Sequence, residues 1–313
     1  MQTITTIPLP WREYMQQLPL GAETTHWELL RKWGLSEVWR VTVADGHSWI
    51  AKRSTGSMAR ELAIYREVLH PLQVPRPELH SYWQTSSEQF FILEDVGPVT
   101  LEQQPRLEHF QEAARVLARV RSLSCIQLQE GAVPEHFMVT PDFYLQALDY
   151  LLQHDTLDEA RKAVLTSVAR WLPERLQDLY THVPSTLCHN DYHVKNLVLH
   201  DTAVVPIDWA MAYISPYLGD MYSLLHGATF RKIGTDALLE AYTDEMQLWA
   251  AHHECVRALM SLPLEEQLAL GAVCILITSI RWTLLEAIYE LPESKKWIPA
   301  MIRNIEYYTR QLK

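Results

Sequence analysis

Two of the chain's three asparagines fall in one short stretch, His189-Asn190-Asp191-Tyr192-His193-Val194-Lys195-Asn196, and Asp208 follows twelve positions later at the end of an apolar run. An Asp-x4-Asn pair, a short hairpin and then a second Asp is the spacing that phosphoryl transfer uses. Asp191 is the candidate catalytic base, a carboxylate that a loop presents to an attacking hydroxyl. In a loose transition state the base chiefly orients the nucleophile, so a carboxylate of ordinary acidity suffices. Asn196 offers a neutral oxygen and Asp208 a charged one to a magnesium ion, which keeps several waters and takes only one or two protein carboxylates. Each residue alone would read as a turn or capping residue. Their joint spacing makes a site.

The elements that must position these residues change character along the chain. Up to Gly97 the pattern is mostly strand: Trp27 to Arg31, Val38 to Val43, Ser48 to Lys52 after an Asp45-Gly46 turn, Leu79 to Gln84 and Gln89 to Glu94. One helix, capped by Ser57, is expected from Met58 to His70. Beyond Pro98 long helical periods take over, at Leu107–Leu123, Pro141–Gln153, Leu157–Tyr180, Asp236–His253, Glu265–Leu291 and Ile298–Leu312. A hairpin of Leu197–Leu199 and Ala203–Ile207, turning through His200-Asp201-Thr202, interrupts them. The reading is an α+β fold with a small antiparallel-sheet lobe over 1–97, a hinge near 94–98, and a larger mainly helical lobe over 98–313.

These motifs resemble those of the aminoglycoside phosphotransferase and choline kinase group, whose fold is protein-kinase-like. Leu187 to Val198 resembles that group's catalytic loop, Val205-Pro206-Ile207-Asp208-Trp209 its metal-binding segment, and Leu218-Gly219-Asp220 the element after it. The aminoglycoside branch usually has glycine at the Asn190 position, which tilts the substrate away from a simple aminoglycoside. The resemblance implies that Lys52 bridges nucleotide phosphates and pairs with a helix glutamate, Glu61 or else Glu67. It implies that His189 contacts backbone near the metal loop and that Asp220 braces the catalytic loop. The backbone of Glu94 to Val96 is expected at the adenine edge. Trp33 to Val41 has one glycine where kinases have several, leaving Ser36 and nearby amides to cover the phosphates. ATP or GTP is the implied donor, with Mg²⁺.

The helix through residue 291 carries Trp282, Glu286, Tyr289 and Glu290 at i, i+3 and i+4 spacing, so one aromatic and acidic face is expected. Such a face suits an ammonium group, and Trp209, Tyr213 and Tyr217 are candidates for the same cleft. The expected acceptor is therefore a small cationic alcohol: an aminoglycoside or other amine-bearing antibiotic, or a choline-like or amino-alcohol metabolite. His193 and Lys195 are placed near a passing phosphate.

Composition narrows the alternatives. A formal charge of −11 argues against a nucleic-acid partner. Residues 1–97 hold nine Lys/Arg against eleven Asp/Glu and the remainder 18 against 27, so the acidity sits in the second half. The four cysteines are dispersed, which fits a reducing cytoplasm rather than a disulfide or zinc framework. The residues from Met1 to Pro10 do not read as a signal peptide. Leu268 to Ile280 is too short an apolar run to span a bilayer and reads as a buried helix. A catalytically silent kinase-fold protein is the competing reading; the presence of Lys52, Asp191, Asn196 and Asp208 counts against it. A protein kinase is disfavoured because no Ala-Pro-Glu follows Asp208.

Overall fold

The computed structural model describes residues 2–15, 24–131, 133–201 and 203–312. Six strands form one antiparallel sheet: β1 (Gln2–Ile4), β2 (Thr24–Trp33), β3 (Ser36–Val43), β4 (Ser48–Thr55), β5 (Leu79–Gln84) and β6 (Glu88–Glu94), in the order β1-β2-β3-β4-β6-β5. Alternation along β6 divides the core. Phe90 and Ile92 face a cluster with Trp27, Trp39 and Val41, which the helix Leu9–Met15 closes with Trp11, Tyr14 and Met15. Phe91 and Leu93 face the other way, into a core shared with the helical lobe. That first helix, and strand β1, have no counterpart in the sequence reading.

The single helix expected over 58–70 is a composite. A 3₁₀ turn (Gly56–Arg60) leads into α-helix (Glu61–Ile64), a π segment (Tyr65–Leu69) and a last α turn (His70–Leu72). Its buried face, Leu62, Tyr65, Val68, Leu69 and Leu72, packs into the larger core. The side chain of Ser57, the expected cap, lies outside the described residues.

In the helical lobe, the stretch expected as one helix over 157–180 is two, Glu159–Ala169 and Leu172–His182. Pro173 causes the break: its missing N–H is harmless only in a first turn. The helix Gly219–Phe230 is new to the structure. So is the pairing of β7 (Thr186–Cys188) with a strand at Tyr213–Ser215. Between them, β8 (Leu197–His200) and β9 (Ala203–Pro206) form the expected hairpin, its Thr202 outside the described residues. The strand Tyr213–Ser215 is β10.

The helix Leu264–Trp282 runs through the centre of this lobe, with Leu268 to Ile277 buried. The 264–287 stretch is long and apolar enough to cross a membrane, but the core covers 67% of its most apolar window. Gly271 lets it approach the start of the 219–230 helix. A Cβ there would stand 2.6 Å from the Leu218 carbonyl carbon and 2.8 Å from the Gly219 nitrogen. Gly271→Ala is therefore expected to force these helices apart and lower stability by about 1–3 kcal/mol. Thermal melting followed by circular dichroism checks this; an unshifted melt would mean that the helices have room to spare.

Candidate active site

Asp191, Asn196 and Asp208 line one cleft of about 1160 Å³, which small-lobe residues such as Arg31 and Arg60 also line. Lys52 sits in β4, paired on either side by Val38 and Phe91, so its backbone is held mid-sheet. Its Nζ lies 2.6 Å from Glu61 Oε2 and 2.7 Å from Asp208 Oδ1. Of the two glutamates considered for Lys52, Glu61 is the partner; Glu67 lies instead 3.9 Å from His136 Nε2. Burial alone would lower the Lys52 ammonium, but Asp208 and Glu61 outweigh it and raise it above its ordinary value. Burial likewise pushes Glu61 up, to about 7, against the pull of Lys52. Burial also works against the charge on Asp208, yet Lys52 and then Arg31 hold its carboxyl well below the usual carboxylate range.

The catalytic loop is fixed from below. The buried Asp220, at the start of the 219–230 helix, accepts from the backbone N–H of His189 (2.7 Å) and of Asn190 (2.8 Å). Burial raises this carboxyl to about 6, although both amides favour its charged form. Burial lowers His189 to about 4, so its ring is neutral at neutral pH. Nε2 lies 3.0 Å from the Ile207 carbonyl, and Nδ1 accepts from the Asp191 N–H at 3.3 Å. Those partners assign the proton to Nε2. One imidazole thus ties the base's loop to the segment carrying Asp208. Trp209 packs on the same ring, with centroids 4.3 Å apart.

Asn190 and Asp208 both have left-handed backbones, with φ of 62° and 64°. Non-glycine residues tolerate this region best when they are Asn or Asp. An asparagine at position 190 therefore answers a backbone demand. Its Oδ1 also accepts from Tyr217 Oη (2.8 Å) and Tyr213 Oη (3.3 Å). Asn190 also lines the cleft.

Asp191 points into the cleft with 39% of its side chain exposed. Asn196 Nδ2 donates to its Oδ2 at 2.8 Å and to its carbonyl at 3.1 Å. His193 Nε2 stands 3.3 Å from its Oδ1. Burial raises the Asp191 carboxyl, and His193 opposes that. Because Nδ2 turns toward Asp191, Asn196 keeps its amide oxygen for another partner; no donor reaches it among the described residues. That oxygen and the Asp208 carboxylate make a sparse, hard donor pair that suits Mg²⁺ with retained waters. No group of three or more metal-type side chains occurs among the described residues.

The small lobe departs from expectation where the phosphates would lie. Trp33 pairs directly with Ser36, so the supposed loop is a hairpin with a two-residue turn at Gly34-Leu35. The Leu35 carbonyl is tied to the Thr55 N–H at 2.9 Å. The Ser36 hydroxyl is buried and meets no partner, rather than facing the cleft. Arg31, read from the sequence only as a strand end, places its Nη1 3.0 Å from Asp208 Oδ2 and stacks over Trp33. The signal was period-2 alternation, which puts Arg31 and Trp33 on one face of β2. At the hinge, the Val96 carbonyl lies 3.0 Å from His200 Nδ1, and Glu94 donates its N–H to the Glu78 carbonyl. Neither Glu94 nor Val96 lines the large cleft. Asp95 is held by Arg40 (2.5 Å) and Ser48 (2.7 Å).

The expected aromatic and acidic face is only half there. Trp282 and Glu286 line the cleft, but Tyr289 is 78% exposed and points away. A π segment, Thr283–Ala287, intervenes. Its wider turn shifts every later residue by one position relative to α spacing. The Glu290 side chain lies outside the described residues. Trp209 and Tyr217 are buried beneath the site, and of that trio only Tyr213 lines the cleft. Lys195 lines it too, 4.0 Å from Glu102.

Lys52→Met leaves Glu61 and Asp208 facing each other without the cation. Breaking a buried pair in this way is expected to lower stability by about 3–5 kcal/mol. Urea midpoints read this directly, and an unchanged midpoint would remove the pair from the architecture.

Solved structures of similar fold cover nearly the whole chain. A choline kinase from Cryptosporidium parvum Iowa II aligns with a TM-score of 0.64 at 11% identity, over 95% of this chain and 94% of its own. A choline/ethanolamine kinase family protein from Mesorhizobium loti gives 0.62 at 13%, over 96% and 94%. A thermostable mutant of aminoglycoside phosphotransferase APH(4)-Ia, in ternary complex with ADP and hygromycin B, gives 0.58 at 14%, over 94% and 98%. No curated protein matches by sequence. The bilobal, protein-kinase-like fold is common to all three. Residues 28–259, which span the Lys52–Glu61 pair, the catalytic loop and Asp208, match the phosphotransferase enzyme family, and the chain belongs to that family.

Proposed function

We propose that this phosphotransferase moves the γ-phosphate of ATP to a hydroxyl of a small-molecule acceptor. The observation that carries the reading is the convergence of Asp191, Asn196 and Asp208 on one cleft, with Asn196 bonded to Asp191 and the buried Lys52 bonded to Asp208 from behind. The ADP in the related APH(4)-Ia complex supports a nucleotide donor.

The chain's own groups divide the work. Asp191 accepts a hydrogen bond from the acceptor hydroxyl and takes its proton as the oxygen attacks the γ-phosphorus. The bond from that phosphorus to the β–γ bridging oxygen breaks, and ADP leaves with the electron pair. Lys52 is the buried cation that faces the nucleotide phosphates, and Glu61 holds it in place. Asn196 and Asp208 would hold Mg²⁺, which when bound neutralises charge on the transferring group. His189 and Asp220 keep the loop rigid, so that the carboxylate is already oriented when substrates arrive.

Asp191→Asn keeps the shape and removes the base. Magnesium-dependent ADP release should fall by about two orders of magnitude or more, with ATP affinity unchanged by calorimetry. Full turnover in this variant would take Asp191 out of the reaction. Failure of the wild-type chain to bind ATP would overturn the kinase reading itself.

A further inference from the structure

Away from Asp191 and Asp208 the cleft lining mixes aromatic side chains, among them Phe137, Phe143, Trp282 and Trp297, with the cations Arg31, Arg60 and Lys195 and one further acid, Glu286. Arg281, in the last turn of the 264–282 helix, sits within that lining. Its Nε is buried and meets no acceptor. No carboxylate among the described residues lies within ion-pair distance of it, and Tyr150 offers only a ring face at 6.0 Å. Every other half-buried arginine among them has an acid: Arg40 has Asp95, Arg53 has Glu88, Arg76 has Glu78, Arg115 and Arg119 have Glu112, Arg161 has Asp158, Arg175 has Glu266 and Arg231 has Glu102. The fully buried Arg121 has no acid either, but it donates to the Tyr217 and Pro216 carbonyls.

In a chain with a net charge of −11, a shortage of acids does not explain the exception. A guanidinium drawn partly out of water without a counter-charge costs free energy unless a ligand supplies one. Arg60, on the small-lobe side of the same cleft, points the same way. It donates to the Ala212 carbonyl at 2.9 Å and has no carboxylate partner among the described residues.

We propose that the acceptor alcohol carries an oxyanion group, a carboxylate or a phosphate, which Arg281 binds while the hydroxyl lies at Asp191. This rests on the kinase reading above and replaces the ammonium expected from the broken aromatic face. The planar fork of guanidinium donors matches either oxyanion through two parallel hydrogen bonds. A polycation would meet Arg31, Arg60, Lys195 and Arg281 as like charges, with Glu286 as the one lining acid besides Asp191 and Asp208. The acceptor is therefore an acidic, partly apolar alcohol.

The test is calorimetric titration of the full chain, loaded with AMP-PNP, with matched alcohols: homoserine against aminopropanol, hydroxybutyrate against butanol, glycerophosphate against glycerol. The carboxylate- or phosphate-bearing member of a pair should bind at least about tenfold tighter, the scale of one charge-assisted contact. The carboxylate and phosphate pairs separate the two oxyanions. Arg281→Gln should erase the preference and Arg281→Lys keep part of it, with AMP-PNP affinity unchanged. Three results overturn the proposal: equal binding by the members without an oxyanion group, a preference that survives Arg281→Gln, or no binding by any oxyanion-bearing member. Should Arg281→Gln not fold, the wild-type comparison decides alone. Loss of AMP-PNP binding by the wild-type chain would instead indict the kinase reading, so the two failures are distinguishable.

Discussion

The Lys52 ammonium lies between Glu61 Oε2 and Asp208 Oδ1, and this buried contact sets where the two halves of the site meet. One carboxylate comes from the composite small-lobe helix, the other from the segment that follows β9. Neither acid has a second full counter-charge of comparable burial, since Arg31 approaches Asp208 from the exposed side. Two desolvated acids around one cation form a stable trio only at short range. The position of β4 relative to the large lobe is thereby constrained to a small tolerance. The π segment at Tyr65–Leu69 begins one α turn after Glu61, and its wider turn lets the helix bury Tyr65 and Leu69 while Glu61 keeps its aim at Lys52.

A second layer of constraint lies under the catalytic loop. Asp220 satisfies two consecutive backbone amides, and those amides belong to His189 and the left-handed Asn190. Without them the loop would carry unpaired donors in a buried place, a cost of about 1–3 kcal/mol each. Asp220 in turn depends on the 219–230 helix starting where Gly271 lets it start. Geometry passes from a glycine in a core helix to a carboxylate at the cleft through a few hydrogen bonds.

Much of the site was legible in the sequence because its parts lie close together in the chain or on strands of plain alternation. The spacing of Asp191, Asn196 and Asp208 is local, and Lys52 ends a clear β pattern. What stayed hidden depends on three-dimensional detail. The 219–230 helix is buried on several sides, so it lacks the one-sided apolar period that marks a surface helix. The two π segments follow no sequence period, and the one at Thr283–Ala287 moved Tyr289 out of the cleft. The turn at Gly34-Leu35 was read as a loop because Trp33 and Ser36 give no sign that they pair. Arginines such as Arg31 and Arg281 look like ordinary surface cations until their neighbours are known.

Asp208 is gripped by two cations of unlike setting. Lys52 has 7% of its side chain exposed, whereas Arg31 has 51%. Dissolved ions screen exposed charges over about 8 Å at physiological strength and leave buried ones almost untouched. Rising ionic strength should therefore loosen the rim of the small lobe, through Arg31, well before it disturbs the anchor at Lys52. The breadth of the cleft mouth becomes a property of the surrounding electrolyte, while the alignment at its floor does not.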